Sequence, residues 1–274
     1  MSTQPSINGS VPERLAHTRE LMSREGIHAL LVPSADPHLS EYLPGYWQGR
    51  QWLSGFHGSV GTLIVTREFA GIWADSRYWE QASKELQGSG IELVKLQPGQ
   101  PGPLDWLAEQ TPEGGVVAVD GAVMAVASAR TLGGKLAERG ARLRTDIDLL
   151  SEVWSDRPNL PNEPIYQHLP PQATVSRGDK LAKLREVMKE RSADWHFIAT
   201  LDDIAWLFNL RGADVSFNPV FVSFALISQQ QATLFVALSK VDSELRAILE
   251  QDGVTLRDYS EVAEALRGVP SGAS

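Results

Sequence analysis

The stretch Trp73-Ala74-Asp75-Ser76-Arg77-Tyr78-Trp79 holds the residues best suited to touching a ligand. An acidic and a basic side chain stand at the end of an apolar run among aromatic rings, which is where α/β sheets present binding groups. Arginine also offers a planar fork matched to carboxylate or carbonyl oxygens. The plainer reading of Asp75 and Arg77 is a structural ion pair.

Other candidates carry less chemistry. Gly55-Phe56-His57-Gly58-Ser59-Val60-Gly61 is glycine-rich, but a phosphate loop needs its glycines to open a helix, and these lead into an apolar run, Thr62–Val65; a tight turn needing positive φ is expected instead. Ser59 makes no nucleophile elbow, because His57 stands where G-x-S-x-G requires glycine, and a Ser59/His57 pair lacks a third member. Asp202 and Asp203 suit the first turn of a helix, as cap and dipole partner, better than a catalytic carboxylate pair. Adding Asp214 yields no metal motif, since no H-E-x-x-H exists. The six histidines are scattered, with no pair at i, i+4. His38, beside Asp36 and near Glu41, has the most polar surroundings and reads as a surface or capping group.

The bulk numbers narrow the class. The 274 residues suit two domains of ordinary size, and 42% hydrophobic with 22% charged residues is a globular composition. No apolar run is long enough to span a membrane, and the polar start MSTQPSINGS lacks the features of a secretory signal. A net charge of −9 without any run of three basic residues argues against nucleic acid as a partner. With no cysteine there are no disulfides or thiolate sites, so a cytoplasmic protein is expected.

The elements that would position these groups come as a repeat. At an offset of 166 residues, Arg19-Glu20-Leu21-Met22 falls on Arg185-Glu186-Val187-Met188, and Leu31-Val32-Pro33-Ser34-Ala35-Asp36 falls on Phe197-Ile198-Ala199-Thr200-Leu201-Asp202. Each copy reads as an amphipathic helix, a break, a buried strand and a polar stop. Leu15, Thr18, Leu21 and Met22 form the first helix's inner face, and Leu181, Leu184, Val187 and Met188 the second's, with Lys180, Lys183, Lys189 and Glu190 in water. The strands Ala29–Val32 and Trp195–Ala199 read as covered on both faces. Cap-like residues, Ser34 and Asp36 before Pro37 and Thr200, Asp202 and Asp203 before Ile204, predict that a helix follows each strand. Further strands are expected at Thr62–Val65, Gly71–Trp73, Val116–Val119, Val220–Ile227 and Thr233–Ala237, with helices near 78–87, 125–139 and 241–251. The fold class is therefore α/β, a mixed sheet flanked by helices used twice. A polar tail at 1–12 precedes domain I at 13–155; a proline-rich linker at 156–175, stiff and extended, leads to domain II at 176–274.

Five separated stretches carry a resemblance: Ser34–Tyr42, Ser54–Thr62, Trp73–Tyr78, Trp154–Pro158, and Leu201–Gly212 continuing through Asn218-Pro219-Val220-Phe221. In this order they resemble the N-terminal half of the three-domain cytosolic Xaa-Pro aminopeptidases, over about residues 14–266. The resemblance implies two creatinase/prolidase N-terminal-type domains and, in the family, a following "pita-bread" domain that binds two divalent ions, usually manganese, and releases the residue before proline. That catalytic domain is expected to be absent here and domain II to lack a strand or two, so this chain would hold no catalytic residue and no metal, as part of a longer protein. The family implies peptides with proline in second place as partners, and a homodimer in the full enzyme. Arg77 matches an arginine that contacts bound peptide, and Asp75 and His38 are expected to help it. The family usually reads Asp-Gly-Arg-Tyr where this chain has Ser76. A non-catalytic peptide-binding relative and a prolidase- or creatinase-like hydrolase are the alternatives.

Overall fold

A computed structural model describes residues 9–274. They form two compact units, divided between Asn159 and Leu160.

The first unit begins with α1 (Val11–Arg24). Its start is a capping box, in which the Glu13 carboxylate accepts both the Ser10 backbone N–H and the Ser10 hydroxyl, at 2.6 and 2.8 Å. Helix thus begins inside the span expected as a tail; residues 1–8 of that span lie outside the described residues. The buried face of α1 is Leu15, Thr18, Leu21 and Met22, as its spacing predicts. After β1 (Ala29–Pro33) come α2 (Gly49–Ser54), β2 (Thr62–Thr66), β3 (Ala70–Ala74), α3 (Trp79–Glu85) and β4 (Glu92–Lys95), then α4 (Pro103–Gln110), β5 (Val116–Ala118), α5 (Val126–Ala137), β6 (Arg142–Arg144) and α6 (Leu150–Val153).

These strands make one mixed sheet in the order β4-β3-β2-β1-β5-β6. β2 runs antiparallel to β1 and β3, while β1, β5 and β6 are parallel, as are β3 and β4. Helices cover both faces, and the two-residue period of a strand sorts the core accordingly. Leu30 and Val32 of β1 pack with Leu15, Met22 and Leu53 on one side, whereas Ala29 and Leu31 pack with Leu107, Leu132 and Leu136 on the other.

The second unit holds β7 (Tyr166–Gln167), α7 (Arg177–Glu190), β8 (Trp195–Ile198), α8 (Leu201–Leu207), β9 (Leu210–Arg211), β10 (Ser223–Ser228), β11 (Ala232–Val236), α9 (Ser243–Gln251), β12 (Val254–Arg257) and α10 (Val262–Arg267). Its sheet order, β12-β11-β10-β8, and its strand directions repeat those of β4-β3-β2-β1. The duplication read from the sequence is therefore a duplication of topology.

The structure departs from the sequence pattern at several places. β8 is an edge strand among the described residues, so His196 and Phe197 are exposed where β1, flanked on both sides, is buried. Lys180 does not face water: its ammonium donates to the Trp206 carbonyl and Asn209 Oδ1, at 2.7 and 2.6 Å, and lies 4.2 Å from the centre of the Trp206 ring. Between the prolines at 164 and 170, Tyr166 and Gln167 pair with Arg211 and Leu210, and Ile165 is buried in the second core, so the span 156–175 is not spacer throughout. No helix directly follows β1, because Asp36 Oδ1 accepts the N–H groups of His38 and Ser40 and folds the chain into a turn. Among the described residues no helix is long and apolar enough to cross a membrane.

Candidate functional site

The register of the first sheet aligns Pro33 with Thr62 and Thr62 with Trp73. The carboxyl ends of β1 and β3 therefore meet the start of β2 at one end of the sheet. Three segments converge there: the turn after Pro33, the glycine-rich loop entering β2, and Asp75–Tyr78 leaving β3.

Asp75 caps the 3-10 turn Ser76–Tyr78 by accepting the Arg77 backbone N–H at 3.0 Å. Its two oxygens also take the Arg77 side chain as a fork, from Nε at 3.0 Å and Nη2 at 2.9 Å. Those hydrogen bonds hold the Asp75 carboxyl below its ordinary range and the Arg77 guanidinium above its own. The pair stands in solvent, with the Arg77 side chain 65% exposed and Nη1 not engaged by Asp75. Ser76 lies in a right-handed turn without positive φ, so the missing glycine is not needed.

Arg77 lies over the Tyr78 ring, 5.3 Å from its centre. The Tyr78 hydroxyl meets Ser59 Oγ at 2.7 Å, and its ring stands edge-on to Phe56. This packing explains Gly58: a Cβ there would come within 2.3 Å of the Phe56 ring and 2.7 Å of the Tyr78 ring. Gly55 ends α2 in the left-handed conformation, the positive-φ turn expected from the sequence. Ser59 is thus joined to Tyr78, while His57 sits 3.6 Å from Glu85, whose other oxygen accepts the His57 backbone N–H.

Beneath the loop is a residue that the sequence did not single out. Arg50, on α2 and 5% exposed, donates to Ser34 Oγ at 2.8 Å, to the Phe56 carbonyl at 2.6 Å and to the Gly58 carbonyl. Burial pushes its guanidinium down to about 10. Its one sequence signal is an arginine on a short helix immediately before a glycine turn, and that pattern is common.

His38 is placed differently from expectation. It is buried, 1% exposed, with its ring edge-on to Trp47, because the Asp36 turn directs it inward. The imidazole therefore does not stand at the surface beside Arg77.

In the second unit, Asp203 accepts from the Thr200 hydroxyl and Asp202 from Asn218, as turn and cap groups do. Asp214 is buried in an ion pair with Lys240 and accepts the Val222 N–H. Among the described residues no three His, Asp or Glu side chains are grouped to hold a metal ion. The divalent ions that the resemblance implies fit no residue cluster among the described residues.

Comparison with known proteins follows the same division. Residues 14–152 match the creatinase/prolidase N-terminal domain, and residues 156–274 match a second family profile of that description. The chain is 39% identical over 253 residues to a probable Xaa-Pro aminopeptidase P of Botryotinia fuckeliana, covering 91% of this chain and 39% of that protein. A counterpart in Pyricularia oryzae is 38% identical over 258 residues, covering 93% and 42%. Among solved structures, an X-prolyl aminopeptidase from Caenorhabditis elegans, described as a cytosolic enzyme with a di-nuclear active site, superposes with a TM-score of 0.89 at 30% identity, covering 94% of this chain and 44% of that one. The chain thus spans about two fifths of the length of these curated relatives. With more than half of its residues in one match and most of the rest in a second of the same kind, the chain belongs to the creatinase/prolidase N-terminal domain family.

Proposed function

We propose that this chain is the substrate-gating and scaffolding part of a cytoplasmic, metal-dependent Xaa-Pro aminopeptidase, acting on peptides with proline in second place. The observation that carries this reading is continuous similarity to Xaa-Pro aminopeptidase P relatives across both units. The two divalent ions, manganese by family resemblance, and the catalytic residues belong to a part of the relatives that this chain does not cover, as does much of the surface of a homodimer. The two domains of this reading are the units divided between Asn159 and Leu160.

Within this reading Arg77 meets the peptide. Asp75 occupies Nε and Nη2, which fixes the guanidinium plane and leaves Nη1 for a peptide carbonyl or carboxylate. Such an interaction selects for length, because a dipeptide ends before it reaches a group held above the mouth of the site. His38 contributes from below, by packing the turn after β1 against Trp47.

The test is kinetic. In the full-length enzyme carrying this chain, Arg77→Ala is expected to raise KM for tripeptides and longer substrates by about ten-fold, with metal content unchanged, since one charge-assisted hydrogen bond is lost. Equal kinetics for all peptide lengths would remove Arg77 from the substrate path.

A further inference from the structure

We infer that Arg50 is a positioning residue that sets the height and tilt of Arg77 by holding the glycine-rich loop beneath it. The inference rests on the reading of Arg77 as the peptide contact. It starts from a buried cation whose hydrogen bonds, among the described residues, go to neutral oxygens on Ser34, Phe56 and Gly58, while Glu85 acts on it only through its charge. Such a group is retained for geometry rather than charge, because one planar fork joins three oxygens that a lysine's single nitrogen cannot span.

Each link from Arg50 to Arg77 is a direct contact. Arg50 also lies over the Phe56 ring, 4.9 Å from its centre, and Phe56 stands edge-on to Tyr78. Gly58, whose carbonyl Arg50 holds, leaves no room for a Cβ between the loop and the Tyr78 ring, and the next residue, Ser59, meets the Tyr78 hydroxyl. Tyr78 in turn is the surface on which Arg77 rests. The end of β1 is tied into the same assembly, because Ser34 accepts from Arg50 and donates to the Gly61 carbonyl at 2.8 Å. A group supported in this way keeps its orientation when a ligand arrives, and a loosened support weakens binding without touching the ligand.

The test uses the whole 274-residue chain, with Arg50→Lys, Tyr78→Phe and, as a stability control, Leu53→Ala, a fully buried residue of the same helix. Two signals are read by NMR: the Tyr78 ring carbon bearing the hydroxyl, and the Arg77 Nε–H during titration with Ala-Pro-Ala. Arg50→Lys is expected to move the Tyr78 signal and raise the half-saturating peptide concentration by about five-fold or more, equivalent to losing one hydrogen bond. Tyr78→Phe, which keeps Arg50 intact, is expected to raise the same midpoint, so the inference is tested even if Arg50→Lys fails to fold. Leu53→Ala is expected to lower the melting temperature and leave the midpoint alone. The inference is overturned if Arg50→Lys folds and leaves the midpoint unshifted, if Tyr78→Phe leaves it unshifted, or if Leu53→Ala shifts it equally. If the unmodified chain's Arg77 signal ignores the peptide, the substrate reading fails instead; an unmoved Tyr78 signal in Arg50→Lys then overturns the role of Arg50 separately.

Discussion

Replacing Lys240 by methionine isolates the energetics of an ion pair that is fully enclosed in the second unit. The Lys240 and Asp214 side chains are 1% and 0% exposed, and beyond this pair the aspartate has the Val222 N–H as its hydrogen-bond donor. Burial dominates both groups, holding the Asp214 carboxyl above its ordinary value and the Lys240 ammonium below it. Methionine fills the space of the lysine stem but leaves a carboxylate in the interior, so the loss is set by an unpaired buried charge, about 3–5 kcal/mol. Urea unfolding at pH 7 should show this loss. A carboxyl whose folded pKa is raised has its stabilising protonated form below that value, and removing the ammonium raises the value further. The deficit should therefore shrink as pH falls from 7 toward the ordinary carboxylate range, because the folded variant takes up a proton that the unfolded chain does not bind. Asp214→Asn combined with Lys240→Met removes both charges, keeps an acceptor for Val222, and should return to within about 2 kcal/mol of the parent. A single-variant loss under about 1 kcal/mol, or a double variant no better than the single one, would refute the account.

Two further outcomes are expected. Gly58→Ala should destabilise the chain by about 1–3 kcal/mol in thermal unfolding, since the new methyl must displace the Phe56 and Tyr78 rings. Asp75→Asn should shift stability by less than about 1 kcal/mol, because the pair with Arg77 is solvent-exposed. Yet it should broaden the Arg77 Nε–H signal at neutral pH. In the parent chain the Asp75 carboxyl is depressed by the Arg77 hydrogen bonds, so its contribution is present above the ordinary carboxylate value and disappears as pH falls through the lowered one. Acid should reproduce the variant's broadening.

A short window or a repeat encodes the local features of this fold and no more. The inner face of α1, the apolar run of β1, the positive-φ turn at Gly55 and the offset of 166 residues all follow from local spacing, because helix and strand patterns act over a few neighbours. The strands β4, β6 and β12 left no such mark. Glu92–Lys95 and Arg142–Arg144 lie at sheet edges with exposed polar residues, and Val254–Arg257 is half exposed, so none forms an apolar run. The charged residues divided by the same principle. Asp75 and Arg77 pair across two positions, within reach of pattern reading. Lys180, Arg177 and Lys240 find partners 29, 75 and 26 residues away, so their burial was decided only when distant segments packed together. His38 illustrates the limit most sharply. Its polar neighbours suggest a surface group, and only the turn at Asp36 and the position of Trp47 decide that it points inward. Periodicity reports which face a residue prefers, whereas the partner that lets a polar group be buried is supplied by tertiary structure.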